Sequence, residues 1–228
     1  MKPELISFKL CPFVQRSVIL LLEKGIDFDI TYIDIQQPPE WFLNLSPFGK
    51  VPVLRCGDTV LFESAVINEY IDETHPPTLH PADPMLRAQN RAWIEFGGGL
   101  NMDIRAVMVA TEAEDFAAKC LKVKTELARI EHLLGAGPYL NGESFSLADV
   151  AYAPTLMRLH LIRQHYDLQK QGLDLMADLP KLQAWTETLM ARDSVPRSVV
   201  PDFVELFCAS IAKANGQLAK LLLVPVLK

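Results

Sequence analysis

Apolar and polar positions follow two different periods in the first third of the chain. Residues 4–8 form a short apolar run, and residues 28–33 alternate apolar with polar, so both predict strands. Residues 12–23 lie between them and carry an apolar face at helical spacing that stops before Gly25, a typical signal for the end of a helix. Because a helix joins the two strands, we expect them to pair in parallel.

A hairpin follows this unit. Residues 51–54 and 59–62 are apolar and flank Cys56-Gly57-Asp58, a tight-turn sequence, which predicts two antiparallel strands. Residues 39–44 predict a short helical turn before the hairpin, and residues 65–72 predict a helix after it.

A proline-rich segment separates this region from the rest of the chain. Residues 75–84 contain four prolines and cannot be helical throughout. We therefore expect two domains, comprising residues 1–78 and 79–228.

The second region has helical periodicity. Glycines at 97–99 are expected to bend or break its first helix and to widen a cleft, since glycine is a poor helix former. Ser146 and Asp149 have the spacing of a capping box at the start of a helix. Besides the helix that begins after Ser146, helices are predicted at 85–110, which contains the three glycines, and at 116–134, 180–191 and 201–214.

Composition excludes several classes of protein. The chain has 228 residues, half of them hydrophobic, and a net charge of −6, which argues against nucleic-acid binding and a basic membrane-binding surface. Its four cysteines are far apart, which is typical of free thiols in a reducing cytoplasm, and its histidines show no metal-binding spacing. No apolar run reaches the roughly 18 residues that span a bilayer, and the first residues lack a signal-peptide core. The apolar residues 221–227 are predicted either to cover a cleft or to dock on a partner subunit.

Cys11 is the best candidate for chemistry. It lies between the first predicted strand and the first predicted helix, and Pro12 suits the first turn of that helix. Backbone N–H groups and the positive end of a helix dipole favour a thiolate there, so we predict a pKa below the free-thiol value of about 8.5. The competing interpretation is a small buried hydrophobic residue.

Two other positions suggest recognition of an extended peptide. A cis Val51–Pro52 bond would turn the backbone of Val51 outward, whereas the simpler interpretation is a proline at a strand edge. Glu63 and Ser64 precede a helix, where they either only cap it or bind the ammonium and carboxylate of a zwitterionic amino acid.

Three segments together resemble the cytosolic glutathione S-transferases. They are Cys11-Pro12-Phe13, residues 44–53 and residues 63–67. Cysteine followed by Pro-Phe is similar to the omega class and its bacterial relatives. The Ser-x-x-Asp element at 146–149 extends the resemblance over nearly the whole chain. It implies an α/β thioredoxin-like N-terminal domain and an all-α C-terminal bundle.

The resemblance also implies roles for individual residues. Cys11 would form a mixed disulfide with glutathione, the co-substrate, without a metal. The backbone of Val51, next to Pro52, would pair with the cysteinyl unit of glutathione. The lysine that commonly meets the glycyl carboxylate is replaced by Pro38, and we expect Lys50 to substitute. The other implied residues are Phe13, Glu63 and Ser64 for glutathione, and Met102 and Arg105 for the second substrate. The family also implies a homodimer.

The predicted activity is glutathione-dependent thiol transfer or dehydroascorbate reduction. Val14 stands where a dithiol enzyme would have a second cysteine, which favours a route with one thiol. Three alternatives stay open. They are a conjugating glutathione S-transferase, a non-enzymatic protein of the stringent-starvation type, and an intracellular chloride-channel-like protein, against which Arg16 and Glu23 in the first helix argue.

Overall fold

A four-stranded sheet forms the core of the N-terminal region. The structure is a computed structural model that describes residues 2–169 and 172–223. Strand β1 lies between β2, to which it is parallel, and β3, to which it is antiparallel, and β4 completes the hairpin, so both predicted pairings are confirmed. The strands are β1 (Glu4–Ser7), β2 (Asp29–Tyr32), β3 (Val53–Cys56) and β4 (Thr59–Phe62).

Three helices accompany this sheet, and they are α1 (Pro12–Glu23), α2 (Glu40–Leu45) and α3 (Ser64–Thr74). Helix α1 ends as the sequence predicts. Gly25 has a φ of +63°, and its N–H donates to the carbonyl of Leu22 at 3.1 Å. Glycine adopts this left-handed conformation without the steric cost that other residues incur. The chain can therefore turn directly from α1 into β2.

The second region is helical, as predicted. Pro84–Val109 forms one continuous helix, so the alternative of a break at residues 97–99 is wrong, whereas the alternative of a bend stays a prediction. A Cβ on Gly97 would lie 3.0 Å from the ring of Tyr152, whose hydroxyl donates to the carbonyl of Trp93 at 2.8 Å. Gly97 thus serves the close approach of two helices. The helices are α4 (Pro84–Val109), α5 (Ala113–Leu133), α6 (Leu147–His165), α7 (Pro180–Met190) and α8 (Phe203–Ala214).

The capping box at the start of α6 is confirmed. The Asp149 carboxylate accepts the backbone N–H and the hydroxyl of Ser146 at 2.8 and 2.7 Å. It also accepts the N–H of Leu140 at 2.9 Å and the indole N–H of Trp185 at 2.8 Å. This fully buried carboxylate therefore joins α6, α7 and the loop before α6.

The connection between the two regions is held by a buried ion pair. Lys24 Nζ lies 2.6 Å from Asp72 Oδ1 and donates to the carbonyl of His75 at 2.8 Å. Asp72 also accepts the backbone N–H groups of Leu79 and His80. Residues 75–83 lie between α3 and α4. The boundary after residue 78 stays a prediction.

A second ion cluster joins α3 to α4. The Glu69 carboxylate lies 2.6 Å from the guanidinium of Arg91 and 2.7 Å from the imidazole of His80. The hydrogen bonds from Arg91, and then those from His80, lower the pKa of Glu69 to about 2.

This shift predicts how stability depends on pH. Glu69→Gln should lower the free energy of unfolding by about 1–2 kcal/mol at pH 7, less than the full pKa shift implies because solvent screens the half-exposed Arg91. A carboxyl with a depressed folded pKa stabilises above its unfolded pKa and loses that contribution as the pH falls towards 2. Urea unfolding of both proteins at several pH values measures this. A difference that stays constant from pH 7 to pH 2.5 would contradict it.

The C-terminal segment lies against the end of α6. The N–H of Leu223 donates to the carbonyl of His165 at 2.8 Å, and Leu222 forms an isolated β-bridge with Tyr166. The predicted apolar stretch continues to residue 227, and residues 224–227 lie outside the described residues. Over residues 2–169 and 172–223, no helix is both long enough and apolar enough to cross a membrane.

Candidate active site

Cys11 lies where the first strand turns into the first helix. It is the N-cap residue of α1, and Pro12 occupies the first turn, as predicted. Its backbone N–H donates to the carbonyl of Phe8 at 3.1 Å, and its carbonyl accepts the N–H of Gln15 at 3.1 Å. Only 6% of Cys11 is exposed. The turn therefore holds the thiol at the helix N-terminus, inside the protein.

Burial reverses the predicted pKa shift of this thiol. Desolvation raises the pKa of Cys11, whereas the backbone N–H groups of Val14 and Phe13 and the guanidinium groups of Arg158 and Arg16 lower it. Desolvation is the largest of these effects, so the prediction of a lowered pKa is wrong. The sequence indicated the helix N-terminus correctly, but it did not show how deeply the sulfur is buried.

The raised pKa has a measurable consequence. The rate at which iodoacetamide alkylates Cys11 should increase about tenfold per pH unit from pH 7 to beyond pH 9, because only the thiolate reacts. Mass spectrometry of the labelled Cys11 peptide gives this rate, and free cysteine in the same buffers gives the reference profile. A plateau reached below pH 8 would contradict a raised pKa.

Arg158 of α6 is a helical-domain group beside this turn that sequence reasoning missed. Its Nη2 donates to the carbonyl of Leu10 at 2.8 Å, and its Nη1 donates to Gln15 Oε1 and to the carbonyl of Pro154, both at 2.7 Å. Leu10 directly precedes Cys11. The available signal was an arginine between the apolar residues Met157 and Leu159, in a mostly apolar helix where a charge is costly unless it has a partner or a function.

Arg16 of α1 is also buried beside this turn. Its Nε donates to the carbonyl of Ala151 on α6 at 2.9 Å, and its guanidinium lies 5.1 Å from the centre of the Phe13 ring. Its Nη2 is buried without a hydrogen-bond partner among the described residues. Phe13, a predicted glutathione contact, is thus held by a residue that bridges both domains.

The predicted cis Val51–Pro52 bond is confirmed. The loop before it is held by Ser46, whose hydroxyl donates to the carbonyl of Lys50 at 2.9 Å and accepts its N–H at 3.0 Å. Lys50 is exposed and Val51 is half-buried, two residues before the start of β3. Their roles towards glutathione stay predictions.

Glu63 and Ser64 lie at the N-terminus of α3. Glu63 is exposed and has a φ of +66° and a ψ of 117°, and Ser64 is 6% exposed. A non-glycine residue in such a conformation costs on the order of 1–3 kcal/mol and is most often found where a binding site requires it. The roles of Glu63 and Ser64 towards an amino-acid ligand stay predictions.

Comparison with known proteins identifies the family. Residues 10–74 match the glutathione S-transferase N-terminal domain, and residues 115–188 match the glutathione S-transferase C-terminal domain. The chain is 33% identical over 186 residues, 81% of its length and 81% of the relative's, to the probable cytosolic glutathione S-transferase DHAR1 of Oryza sativa subsp. japonica. The chain belongs to the glutathione S-transferase family.

Other relatives of this glutathione S-transferase fold differ in their described functions. The omega-1 glutathione S-transferase of Rattus norvegicus is 30% identical over 84% of this chain and 78% of its own. A stringent starvation protein A homolog of Haemophilus influenzae is 33% identical over 79% of this chain and 82% of its own. Sequence identity at this level therefore shows the family and leaves the activity open.

Solved structures confirm the predicted two-part architecture. Glutathione transferase Omega 3C from Trametes versicolor has a TM-score of 0.74 at 27% identity and covers 87% of this chain and 89% of its own. A glutathione S-transferase from Methylobacillus flagellatus, solved with glutathione bound, has a TM-score of 0.74 at 26% identity and covers 87% of this chain and 99% of its own.

The remaining predicted site residues, Met102 and Arg105, belong to the predicted second-substrate pocket. Met102 and Arg105 lie on the exposed side of α4, and no hydrogen bond or ion pair found in the described part of the chain links them to the turn. The second-substrate pocket stays a prediction. Cys56, Cys120 and Cys208 are free thiols, as predicted, and burial raises the pKa of Cys120 to about 11. Among residues 2–169 and 172–223, no cluster of potential metal ligands occurs.

Proposed function

We propose that this protein is a glutathione-dependent thiol transferase of the omega type that uses Cys11 as its nucleophile. The observation that carries the proposal is a cysteine at the N-cap of α1, with two backbone N–H groups and two buried guanidinium groups that favour its thiolate. The relatives at about 30% identity include glutathione S-transferases named as DHAR and omega-1 proteins, which supports the same class.

The proposed reaction is a pair of thiol–disulfide exchanges. The Cys11 thiolate attacks the glutathione sulfur of a mixed disulfide, the substrate leaves as a thiolate, and a Cys11–glutathione disulfide forms. A second glutathione, as its thiolate, then attacks the glutathione sulfur of that disulfide. Oxidised glutathione leaves and the Cys11 thiolate is restored. With dehydroascorbate, two glutathione molecules supply the two electrons and two protons that give ascorbate and oxidised glutathione.

Glutathione binding is proposed to use both backbone and side-chain groups. The Val51 backbone, presented by the cis bond to Pro52, pairs with the cysteinyl unit. Glu63 and Ser64 bind the γ-glutamyl ammonium and carboxylate at the N-terminus of α3, where backbone N–H groups favour an anion. Lys50 meets the glycyl carboxylate, because its loop is fixed by Ser46.

A side-by-side assay tests the proposal. Hydroxyethyl disulfide, dehydroascorbate and a chloronitrobenzene are each offered with glutathione to the purified protein. We expect turnover of the first two to exceed conjugation of the third. Dominant conjugation would replace the proposal by a conjugating transferase, and no turnover with any of the three would favour the non-enzymatic alternative.

One relative supports that second candidate. The stringent starvation protein A homolog is as similar in sequence as the plant transferase. Against it stands Cys11, since proteins of that type generally lack a cysteine at this position.

We also propose a cytoplasmic homodimer. Large apolar side chains are exposed in the loop before β3 and on α4 and α5, and they suit burial by a second copy, among them Phe48, Met85 and Leu121. Sedimentation of a monomer at micromolar concentration would count against the dimer.

A further inference from the structure

Arg158 is a buried cation without a buried anion. It is 5% exposed, and its guanidinium donates only to neutral acceptors, which are two backbone carbonyls and the amide oxygen of Gln15. The ring of Phe203 covers it at 5.2 Å. No carboxylate forms an ion pair with Arg158 within the described ranges, 2–169 and 172–223. Isolated buried charges are expensive, so a group this well held calls for a counter-charge.

Cys11 is the titratable group that can supply that charge. Burial lowers the pKa of Arg158 to about 10, and Cys11 is the group whose charge acts against this shift. Conversely, Arg158 and Arg16 both favour the Cys11 thiolate, and the effect of Arg158 on the pKa of Cys11 is the larger of the two. Arg16 has a further electrostatic partner in Glu95 on α4, whereas Arg158 does not.

The surroundings hold the guanidinium in place. Gln15 accepts from Arg158 and donates through Nε2 to Ser198 Oγ at 3.0 Å, and Ser198 in turn donates to the carbonyl of Val195 at 2.6 Å. These bonds tie α1, α6 and the 3-10 turn at Pro196–Ser198 into one network. A cation fixed before the reaction loses no reorganisation energy when charge develops beside it.

We propose that Arg158 is a positioning residue that supplies, from the helical domain, the counter-charge for the Cys11 thiolate, an inference that rests on the proposed function. The residue holds the carbonyl of Leu10 and thereby the turn that carries Cys11. It stabilises the thiolate before Cys11 attacks, and it stabilises the negative charge that returns to the sulfur when glutathione displaces Cys11 from the mixed disulfide. The thiol-transfer chemistry of the N-terminal domain thus depends on a residue of the other domain.

Other charged or titratable groups face the same turn and must be considered with Arg158. A hollow beside Cys11 includes residues of β1, β2 and the 3-10 turn. The Lys9–Asp202 ion pair, 3.4 Å long, is half-exposed and screened by salt. The other charged or titratable groups near the Cys11 turn are Arg16 on α1, Tyr32 on β2, Lys9 after β1 and Asp202 before α8.

The alkylation profile of Cys11 against pH tests this inference without glutathione. Arg158→Met should displace the profile by about one pH unit upward, and so slow alkylation at pH 7 about tenfold. Arg158→Lys retains the charge and should restore most of the wild-type profile. Arg192→Met is the matched control, because Arg192 also joins the domains, through Glu23 at the opposite end of α1, and should leave the profile unchanged.

The outcomes separate the inference from the proposed function. A wild-type profile in Arg158→Met, with the fold intact by circular dichroism, would overturn the inference even if thiol transfer occurs. A displaced profile in a protein without thiol-transferase activity would support the inference and refute the function. If Arg158→Met does not fold, Arg158→Gln is measured instead, since the glutamine amide can still donate to a backbone carbonyl. An alkylation profile in Arg158→Gln that equals the wild-type profile would likewise overturn the inference.

Discussion

Cys11→Ser is expected to lower glutathione-dependent reduction of hydroxyethyl disulfide by about 1,000-fold or more, since a hydroxyl cannot form the mixed disulfide. Glutathione binding should be largely retained, because the Val51 backbone and the residues Glu63 and Ser64 are unchanged. A coupled assay with glutathione reductase measures turnover, and titration calorimetry measures glutathione binding.

The matched control is Cys56→Ser. Cys56 is a half-buried free thiol at the end of β3, away from the N-terminus of α1, and its replacement should leave turnover unchanged. Full thiol-transferase activity in Cys11→Ser would refute the redox mechanism. Conjugation of a chloronitrobenzene should persist or increase in Cys11→Ser, because a serine hydroxyl can hydrogen-bond to a bound glutathione thiolate.

The largest effect on stability is expected at Asp149. Asp149→Ala removes the acceptor for Leu140 N–H, Trp185 Nε1–H and the Ser146 cap, in a site without access to water. Each buried donor left unpaired costs about 1–3 kcal/mol, so we expect a loss of about 3–5 kcal/mol in the free energy of unfolding. Urea unfolding followed by circular dichroism measures this loss.

Ser146→Ala is the corresponding control. It removes one hydroxyl while Leu140 and Trp185 keep their acceptor, so it should cost only about 1 kcal/mol. Equal losses in the two variants would mean that Asp149 acts through the helix cap alone. We expect the larger loss in Asp149→Ala, because the Asp149 carboxylate joins α6, α7 and the loop before α6.

Local chemistry explains why much of the fold was predictable. Periodicity defined the strands and helices, because burial of one face requires it whatever the partner is. Gly25 predicted the end of α1, because glycine readily adopts the positive φ that the structure shows there. Ser146 and Asp149 predicted a cap through their spacing, and Pro52 indicated the cis bond. The proline that follows Cys11 predicted a thiol at a helix N-terminus, because proline fits the first turn of a helix and disrupts its interior.

The continuity of α4 depends on tertiary contact. Three glycines favour a bend when a helix is considered alone, but Gly97 provides the space into which the Tyr152 ring packs. The gain from that packing, together with the hydrogen bond from Tyr152 to the Trp93 carbonyl, outweighs the poor helix propensity.

The position of Cys11 and the elements around it can be predicted from the sequence, since both follow from contacts within a few residues. The electrostatic environment of Cys11 depends on groups that come together only in the folded chain. Desolvation by burial raises the pKa of the thiol, and Arg158, 147 positions further along the chain, opposes that effect. Burial and charge are summed over all groups near a sulfur in space, and sequence spacing carries no information about which distant helix will supply them.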